Sequence, residues 1–385
     1  MTPGARVQAA IEVLDRVASG EAAEKALLSW ARNARYAGSK DRAAVRDHVF
    51  DCLRRWRSVA AVGGGETGRA RMVGLVRQQR IAPETLFTGE GHAPAVLTDA
   101  ERMAGRQPTE NEALDLPDWI QPLWADSLAD RGARVAEVLR HRADVFLRVN
   151  LLKQTRDRAQ ASLRTEGIET APVAGNETAL RVTENARRVQ QSEAFRSGWV
   201  ELQDAASQAV VAHLPLGPGQ RVLDYCAGGG GKALAMAALT GGRIDAHDSA
   251  MGRMSDLPER AKRAGAQIER IAKPSGLYDL VLADVPCSGS GAWRRAPEGK
   301  WRMSPERLDR LVETQRAIVD ACLRHVAPGG TFAYATCSVL ACENANQVNW
   351  ISSRFPELAP ATVAQFEPGC DGDGLFVACF TRENL

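Results

Sequence analysis

The sequence predicts an α/β protein, with a doubly wound parallel sheet in its C-terminal half behind an all-helical segment and a small α+β insert. Three observations carry this. From Asp204 onward, short apolar runs alternate with stretches of helical period, the pattern of parallel strands joined by crossover helices. Within that stretch the run 220–225 leads directly into Gly228-Gly229-Gly230-Gly231-Lys232, a strand, a glycine loop and a helix start. Residues 4–80, by contrast, show only the helical period.

In the first segment Val7, Ala10, Ile11, Val13, Leu14 and Val17 recur at helical spacing, and Ser19-Gly20 ends that helix. Ala22 to Trp30 is a second amphipathic run. Ser39 is placed to cap a third, with Val45, Val49, Phe50, Leu53 and Trp56 on its apolar face and Gly63-Gly64-Gly65 as its break. Residues 81–115 are rich in turn formers. Pro117 to Leu139 is helical again, with Trp119 and Trp124 as packing anchors.

Near residue 145 the period changes. Val145 to Asn150 reads as a strand, Thr155 to Glu166 as a helix with Gly167 at its C-terminal cap, and 180–182 and 199–202 as further strands. The C-terminal part has strand candidates at 220–225, 243–247, 278–284 and 331–336 and a terminal strand within Gly374 to Phe380. Its helix candidates are 232–240, 251–264 and 305–326. The expected domains are 1–130, 131–202 and 203–385.

At 385 residues, 44% hydrophobic and 25% charged, the chain has an ordinary globular balance and length for two or three domains. No apolar run approaches the roughly 18 residues of a membrane span, and the N-terminus lacks a basic-then-apolar leader. A cytoplasmic protein without membrane partners is expected. Its eight cysteines are then expected as thiols. Without a CxxC pair no metal site is expected. Cys52, Cys322, Cys370 and Cys379 read as small buried hydrophobes.

Net charge is only +2, but residues 1–80 hold fifteen Lys/Arg against eight Asp/Glu, and Arg294 to Met303 holds four basic residues against one acidic. Basic excess at two places suits a phosphate-backbone partner and equally suits two solvated helix faces.

In doubly wound sheets ligands bind beyond the C-terminal strand ends, where the loop Cys226 to Gly231 lies. Its glycines let a ligand approach the backbone closely. Asp248, about 24 residues after Asp224, ends the second strand, where an acid serves ribose hydroxyls. The spacing required for nicotinamide dinucleotides is not met, and Lys232 is followed by Ala233 rather than the hydroxyl of a triphosphate loop. Two cysteines follow two further strands, in Asp284-Val285-Pro286-Cys287-Ser288-Gly289 and Ala335-Thr336-Cys337-Ser338.

A nucleotide-type cofactor with two such thiols points to methyl transfer onto carbon 5 of a pyrimidine. That carbon is too poor a nucleophile until a thiolate adds at C6. If the first strand is central, Cys287 and Cys337 face one another, and Asp284, as a protonated or proton-sharing carboxyl, is the acid near N3. A dehydrogenase leaves both thiols unexplained. Amino-group methylation lacks the aromatic residue that stacks the base.

The two cysteine motifs together resemble the paired motifs of RNA cytosine-5 methyltransferases of the RsmB/Sun (NOP/Sun) family. Gln203-Asp204-Ala205-Ala206-Ser207-Gln208, Arg148-Val149-Asn150 and Leu375-Phe376-Val377-Ala378 fit the same family. Asp41-Arg42 with Val49 and Leu53-Arg54-Arg55-Trp56 resembles the NusB-like helical domain that precedes the enzyme in one branch. The resemblance spans nearly the whole chain. It implies a class I, Rossmann-like methyltransferase domain and S-adenosylmethionine, bound at Cys226, Ala227, Gly228, Gly229, Gly230, Gly231, Lys232 and Asp248, with Arg253 as a buttress and Asp284 at the methionine end.

It also implies Cys337 as nucleophile and Cys287 in release, an order that the residues alone leave open. RNA contacts are expected from Arg42, Arg54, Arg55, Arg294, Arg295, Lys300 and Arg302. The expected substrate is small-subunit rRNA, with tRNA or a non-catalytic assembly role as alternatives, and the expected state is a monomer. Two departures stand out. The family's Ala-Pro-Gly-Gly-Lys is all glycine before Lys232 here, and Ile268 to Lys273 offers no acid for adenine.

Overall fold

Residues 1–383 are described in a computed structural model of the chain. They form two units: residues 1–125, 129–142 and 293–303 in one, and residues 126–128, 143–292 and 304 onward in the other. Among the described residues no helix is long and apolar enough to cross a membrane.

The first unit is helical. Thr2 accepts from the Ala5 N–H and opens the helix Pro3–Ala18. Ala23–Asn33 and Ser39–Arg54 follow, and their apolar faces bury Val7, Leu14, Leu27, Val45, Val49 and Leu53 in one core. The third apolar stripe does not run on to the glycines as its period predicts. The chain breaks at Arg55 (φ −123°, ψ 31°) and a new helix, Trp56–Gly63, begins. Asp115 explains the break. Its buried carboxylate accepts from Arg57 N, Ser58 N and Ser58 Oγ, and so caps the new helix from a remote part of the chain.

The segment Trp293 to Met303 also packs in this unit. Trp293 stacks on Trp124 with ring centroids 6.2 Å apart. Lys300 Nζ donates to the Arg54 carbonyl at 2.9 Å, and Trp301 Nε1 donates to the Leu53 carbonyl at 2.7 Å.

The second unit contains two sheets. Strands β1 (Val145–Val149), β2 (Thr170–Val173), β3 (Asn176–Val182) and β4 (Val200–Leu202) form an antiparallel sheet ordered β2-β3-β1-β4. The larger sheet uses β5 (Val222–Asp224), β6 (Ile244–Ala246), β7 (Ile268–Arg270), β8 (Tyr278–Asp284), β9 (Val326–Thr336), β10 (Thr362–Phe366) and β11 (Leu375–Thr381). Their order is β10-β11-β9-β8-β5-β6-β7. The strands from β7 through β9 run parallel, while β11 pairs antiparallel with β9 and β10 antiparallel with β11.

β5 is therefore central, as the alternation predicts. The near-continuous apolar run Leu280 to Ala283 reflects burial on both faces. Val210, Val211, Leu234 and Met236 from the helices Ala205–His213 and Gly231–Thr240 pack on one face. Val319 and Cys322 from Pro305–Leu323 and Ile351 from Ala345–Arg354 pack on the other.

β2 and β10 carry no strong strand pattern. Both are edge strands; Pro172 interrupts one, and exposed residues dominate the other. The helix expected over 251–264 divides into a single turn, Met251–Met254, and the helix Leu257–Ala264, with Pro258 at its start.

Candidate active site

Parallel pairing of β8 and β9, with Asp284 opposite Ala335, brings the two cysteine loops out side by side. Cys287 Sγ and Cys337 Sγ lie 3.3 Å apart, unbonded and in hydrogen-bond contact. The loops are stitched together: the Gly291 N–H donates to the Cys337 carbonyl at 3.0 Å, and Ser290 Oγ accepts from the Val339 N–H at 2.9 Å. Hydrogen bonding from Cys287, with help from the Lys232 ammonium, holds the Cys337 thiol below its usual range against the effect of burial. The same hydrogen bond, with burial added, drives Cys287 well above it. One member of the pair is thus disposed to be the thiolate and the other to keep its proton.

Lys232 Nζ sits 2.6 Å from Asp284 Oδ2. Burial opposes the ammonium, but the Asp284 charge and hydrogen bond outweigh it and the Lys232 pKa is raised. Asp284 is consequently the anionic half of an ion pair. The expected protonated or proton-sharing carboxyl at Asp284 therefore has a lysine as its hydrogen-bond partner, with Lys232 as the donor.

A cavity of about 760 Å³ adjoins these groups. It is lined by Asp224, the loop 226–229, Lys232, Asp248, Arg253, Asp284 and both cysteines. Gly231, at the start of the following helix, lines it as well. Gly230 does not. It turns the chain at φ +75°, where an added Cβ would meet Leu257 Cδ1 at 2.2 Å. Asp248 accepts from the Gly228 N–H at 2.9 Å and pairs with Arg253 at 3.2 Å, which fixes it at the loop. Burial pushes the Cys226 thiol up, so it lines the cavity as a neutral group.

Asp224 was not singled out as a site residue by its pattern. It is 1% exposed, and beyond a weak interaction with the Ala233 N–H its carboxylate oxygens have no hydrogen-bond partner among the described residues. Burial, with the Asp284 charge adding to it, raises its carboxyl to about 7. A cavity with an unsatisfied acid, a fixed acid at the second strand end and an open glycine loop fits a ligand with a cationic end and a ribose. That is the composition of S-adenosylmethionine. Asp224 and Asp284 would face the cationic methionine end, and Asp248 the ribose. No residue of 268–273 lines the cavity, whereas Val285, Thr314 and Ile318 do.

The expected RNA contacts divide. Arg42, Arg295 and Arg302 are exposed, although Arg302 is bonded to Glu298 and to the Gly20 carbonyl. Arg54, Arg294 and Lys300 are buried inside the helical unit. Arg54 donates to the Arg294 carbonyl and pairs with Asp51, and burial lowers the Lys300 ammonium to about 7. Arg55 is half-buried and donates to the Arg140 carbonyl. These four hold the unit together rather than offering a cationic surface, and a charge count cannot see which lysines face inward.

Arg32, Arg35 and Lys40 are also exposed basic residues, not named among the expected contacts. With Arg42 they lie within six positions of Tyr36 in the sequence, and Tyr36 is 73% exposed. Cys370 is exposed rather than buried.

Fold and site together define a Rossmann-like domain with a two-thiol centre beside a cavity of cofactor size. A family model described as 16S rRNA methyltransferase RsmB/F matches residues 211–374, and the ferredoxin-like domain of RsmF/B-like methyltransferases matches residues 116–190; together they cover more than half of the chain. The chain belongs to this RsmB/F family.

Ribosomal RNA small subunit methyltransferase B of Vibrio cholerae serotype O1 is 32% identical over 285 residues, 70% of this chain and 65% of that protein, so the matched region falls just short of two thirds of the relative. The protein of the same name from Pectobacterium carotovorum is 28% identical over 392 aligned positions, 89% of this chain and 91% of that one. The crystal structure of PH0851 shares the fold over 100% of this chain and 99% of that one, with a TM-score of 0.76 at 22% identity.

Proposed function

We propose that the protein methylates carbon 5 of a cytosine in small-subunit ribosomal RNA through a covalent Cys337 adduct. The observation that carries this reading is the Cys287–Cys337 pair at 3.3 Å beside the Lys232–Asp284 ion pair, on one wall of the cofactor cavity. S-adenosylmethionine, when bound, supplies a methyl group activated by its sulfonium.

The chain's own residues do the rest. The Cys337 thiolate adds to C6 of the cytosine, and negative charge moves onto N3 and O2. Lys232, oriented by Asp284, delivers a proton toward N3, and C5 becomes electron-rich enough to accept the methyl group. Solvent water then takes the C5 proton, N3 returns its proton to the Lys232 amine, the C6–S bond breaks and its electron pair returns to Cys337. The Cys287 S–H donates to that leaving thiolate, which favours release.

The names of the family and of its bacterial relatives support ribosomal RNA as substrate. Methyl transfer from labelled cofactor to undermodified small-subunit rRNA and to tRNA, followed by mapping of the base, tests this. Label at cytosine C5 of the rRNA is the expected result. Label confined to tRNA, or to an exocyclic amine, overturns it.

A further inference from the structure

Glu343 is fully buried, and the reaction as described gives it no part. Its carboxylate collects three donors: Ser288 N–H at 2.8 Å, Ser288 O–H at 2.5 Å and Gln315 Nε2 at 3.0 Å. Among the described residues no lysine or arginine pairs with it. A buried carboxylate without an ion-pair partner is an expensive feature, tolerated only where its hydrogen bonds are complete. All three donors serve one place. Ser288 directly follows Cys287, and Gln315 Nε2 also donates to the Pro286 carbonyl at 3.1 Å, one residue before it.

Glu343 itself follows Cys337 by six residues and is tied to that strand, because Tyr334 Oη donates to its carbonyl at 2.8 Å and to Gln315 Oε1 at 3.1 Å. The neighbouring Asn344 accepts from Thr336 Oγ1 at 2.6 Å and donates to the Ser338 carbonyl at 2.8 Å. The turn that carries Cys287 is therefore clamped, through one acid, to the strand end that carries Cys337.

We propose that Glu343 is a positioning residue for the thiol pair: by locking the Cys287–Ser288 turn to the segment after Cys337, it holds Cys287 Sγ against Cys337 Sγ for the release step. This rests on the reading that Cys337 forms the adduct and Cys287 assists its departure. The charge of Glu343 adds to the groups that keep the Cys287 proton in place and also pushes the Cys337 thiol up, so loss of the charge alone lowers the Cys337 midpoint and only loss of the Cys287 donor raises it. The other charged groups acting on the pair are Lys232 and Asp284 on the cofactor side; Tyr334 on β9 lies near Cys287 and is itself under the influence of Cys342 and of Arg316 on the helix Pro305–Leu323.

The experiment compares wild type with Glu343→Gln, Ser288→Ala and Cys287→Ala. In the free enzyme, the pH dependence of Cys337 alkylation reads the alignment of its donor without any RNA chemistry. With RNA and cofactor, a denaturing gel reads the covalent adduct. Glu343→Gln is expected to move the alkylation midpoint upward by roughly half a unit to one unit and to accumulate adduct, with calorimetric cofactor affinity unchanged. Ser288→Ala, which removes one of the three donors, moves both in the same direction by less.

An unchanged alkylation midpoint in Glu343→Gln overturns the inference, whatever the adduct does. If that variant does not fold, an unchanged midpoint in Ser288→Ala overturns it. Failure of the underlying reading looks different: Cys287→Ala then traps no adduct, while the alkylation shifts still report on the clamp.

Discussion

A thiol pair whose members differ in proton affinity assigns roles that two equivalent cysteines could not. Cys337, lowered by the Cys287 donor and by Lys232, ionises more readily as pH rises, so its reactive form persists to lower pH than for a free thiol near about 8.5. Cys287→Ala removes the largest of those influences and should shift the Cys337 alkylation midpoint upward; Cys287→Ser, which keeps a donor, should shift it less. With RNA present, Cys337→Ala is expected to abolish both methylation and adduct. Cys287→Ala instead leaves a slow-migrating covalent complex, and a trapped band from Cys337→Ala would reverse the roles.

Asp224 makes a third prediction at this scale. Its folded carboxyl keeps its proton up to about 7, whereas an unfolded aspartate loses it near 3.9. Its contribution to stability is therefore fully present only below the unfolded value and is lost as pH rises through the folded one. Asp224→Asn should raise the melting temperature of the cofactor-free protein by several degrees at pH 8 and by less at pH 5. It should also weaken S-adenosylmethionine by about tenfold or more through loss of the anionic partner. An equal gain at both pH values would show that the carboxylate is not strained by burial.

Among the elements, the glycine loop decides whether the cofactor cavity exists. The chain enters the helix Gly231–Thr240 through Gly228 at φ +53° and Gly230 at φ +75°, both in the left-handed region that disfavours a side chain. Gly230→Ala adds a clash with Leu257 to about 1–2 kcal/mol of backbone strain. It should lower thermal stability and weaken cofactor binding more than tenfold; a titration with unchanged affinity would mean the loop can reach its bound form another way.

Much of this region was legible from the chain because each signal is local. Four consecutive glycines announce a tight loop, and thiols two or three residues past buried apolar runs announce strand-end chemistry. What was not legible depends on partners distant in sequence. Asp115 breaks the third helix from about 60 residues away, β10 forms only because β11 offers an edge, and Glu343 matters only because Ser288 lies against it. The partner of Asp284 is hidden in the sequence for the same reason. Lys232, 52 positions earlier, is brought to 2.6 Å only by the adjacency of β5 and β8.

At the scale of the whole molecule, the charges of the helical unit separate by burial. Arg54 and Lys300 spend their donors on backbone carbonyls inside the unit, so deleting residues 1–80 would strip partners from Lys300 and Trp301 and damage the segment 293–303 along with any RNA surface. Point changes on the exposed side avoid that confusion. Arg32, Arg35, Lys40 and Arg42 are exposed, take part in no ion pair among the described residues, and flank an exposed tyrosine able to stack an unpaired base.

Each phosphate contact contributes about 0.7–0.9 to the slope of log affinity against log salt. Reversing three of these charges, Arg32→Glu, Arg35→Glu and Lys40→Glu, should therefore flatten the slope by about 2 to 3. It should weaken rRNA binding at low salt by more than tenfold and leave the melting temperature and cofactor affinity unchanged. Tyr36→Ala should weaken binding by a smaller factor that does not depend on salt, because stacking releases no counterions. If the triple reversal leaves the salt slope as it was, the helical unit does not meet the phosphate backbone through this face.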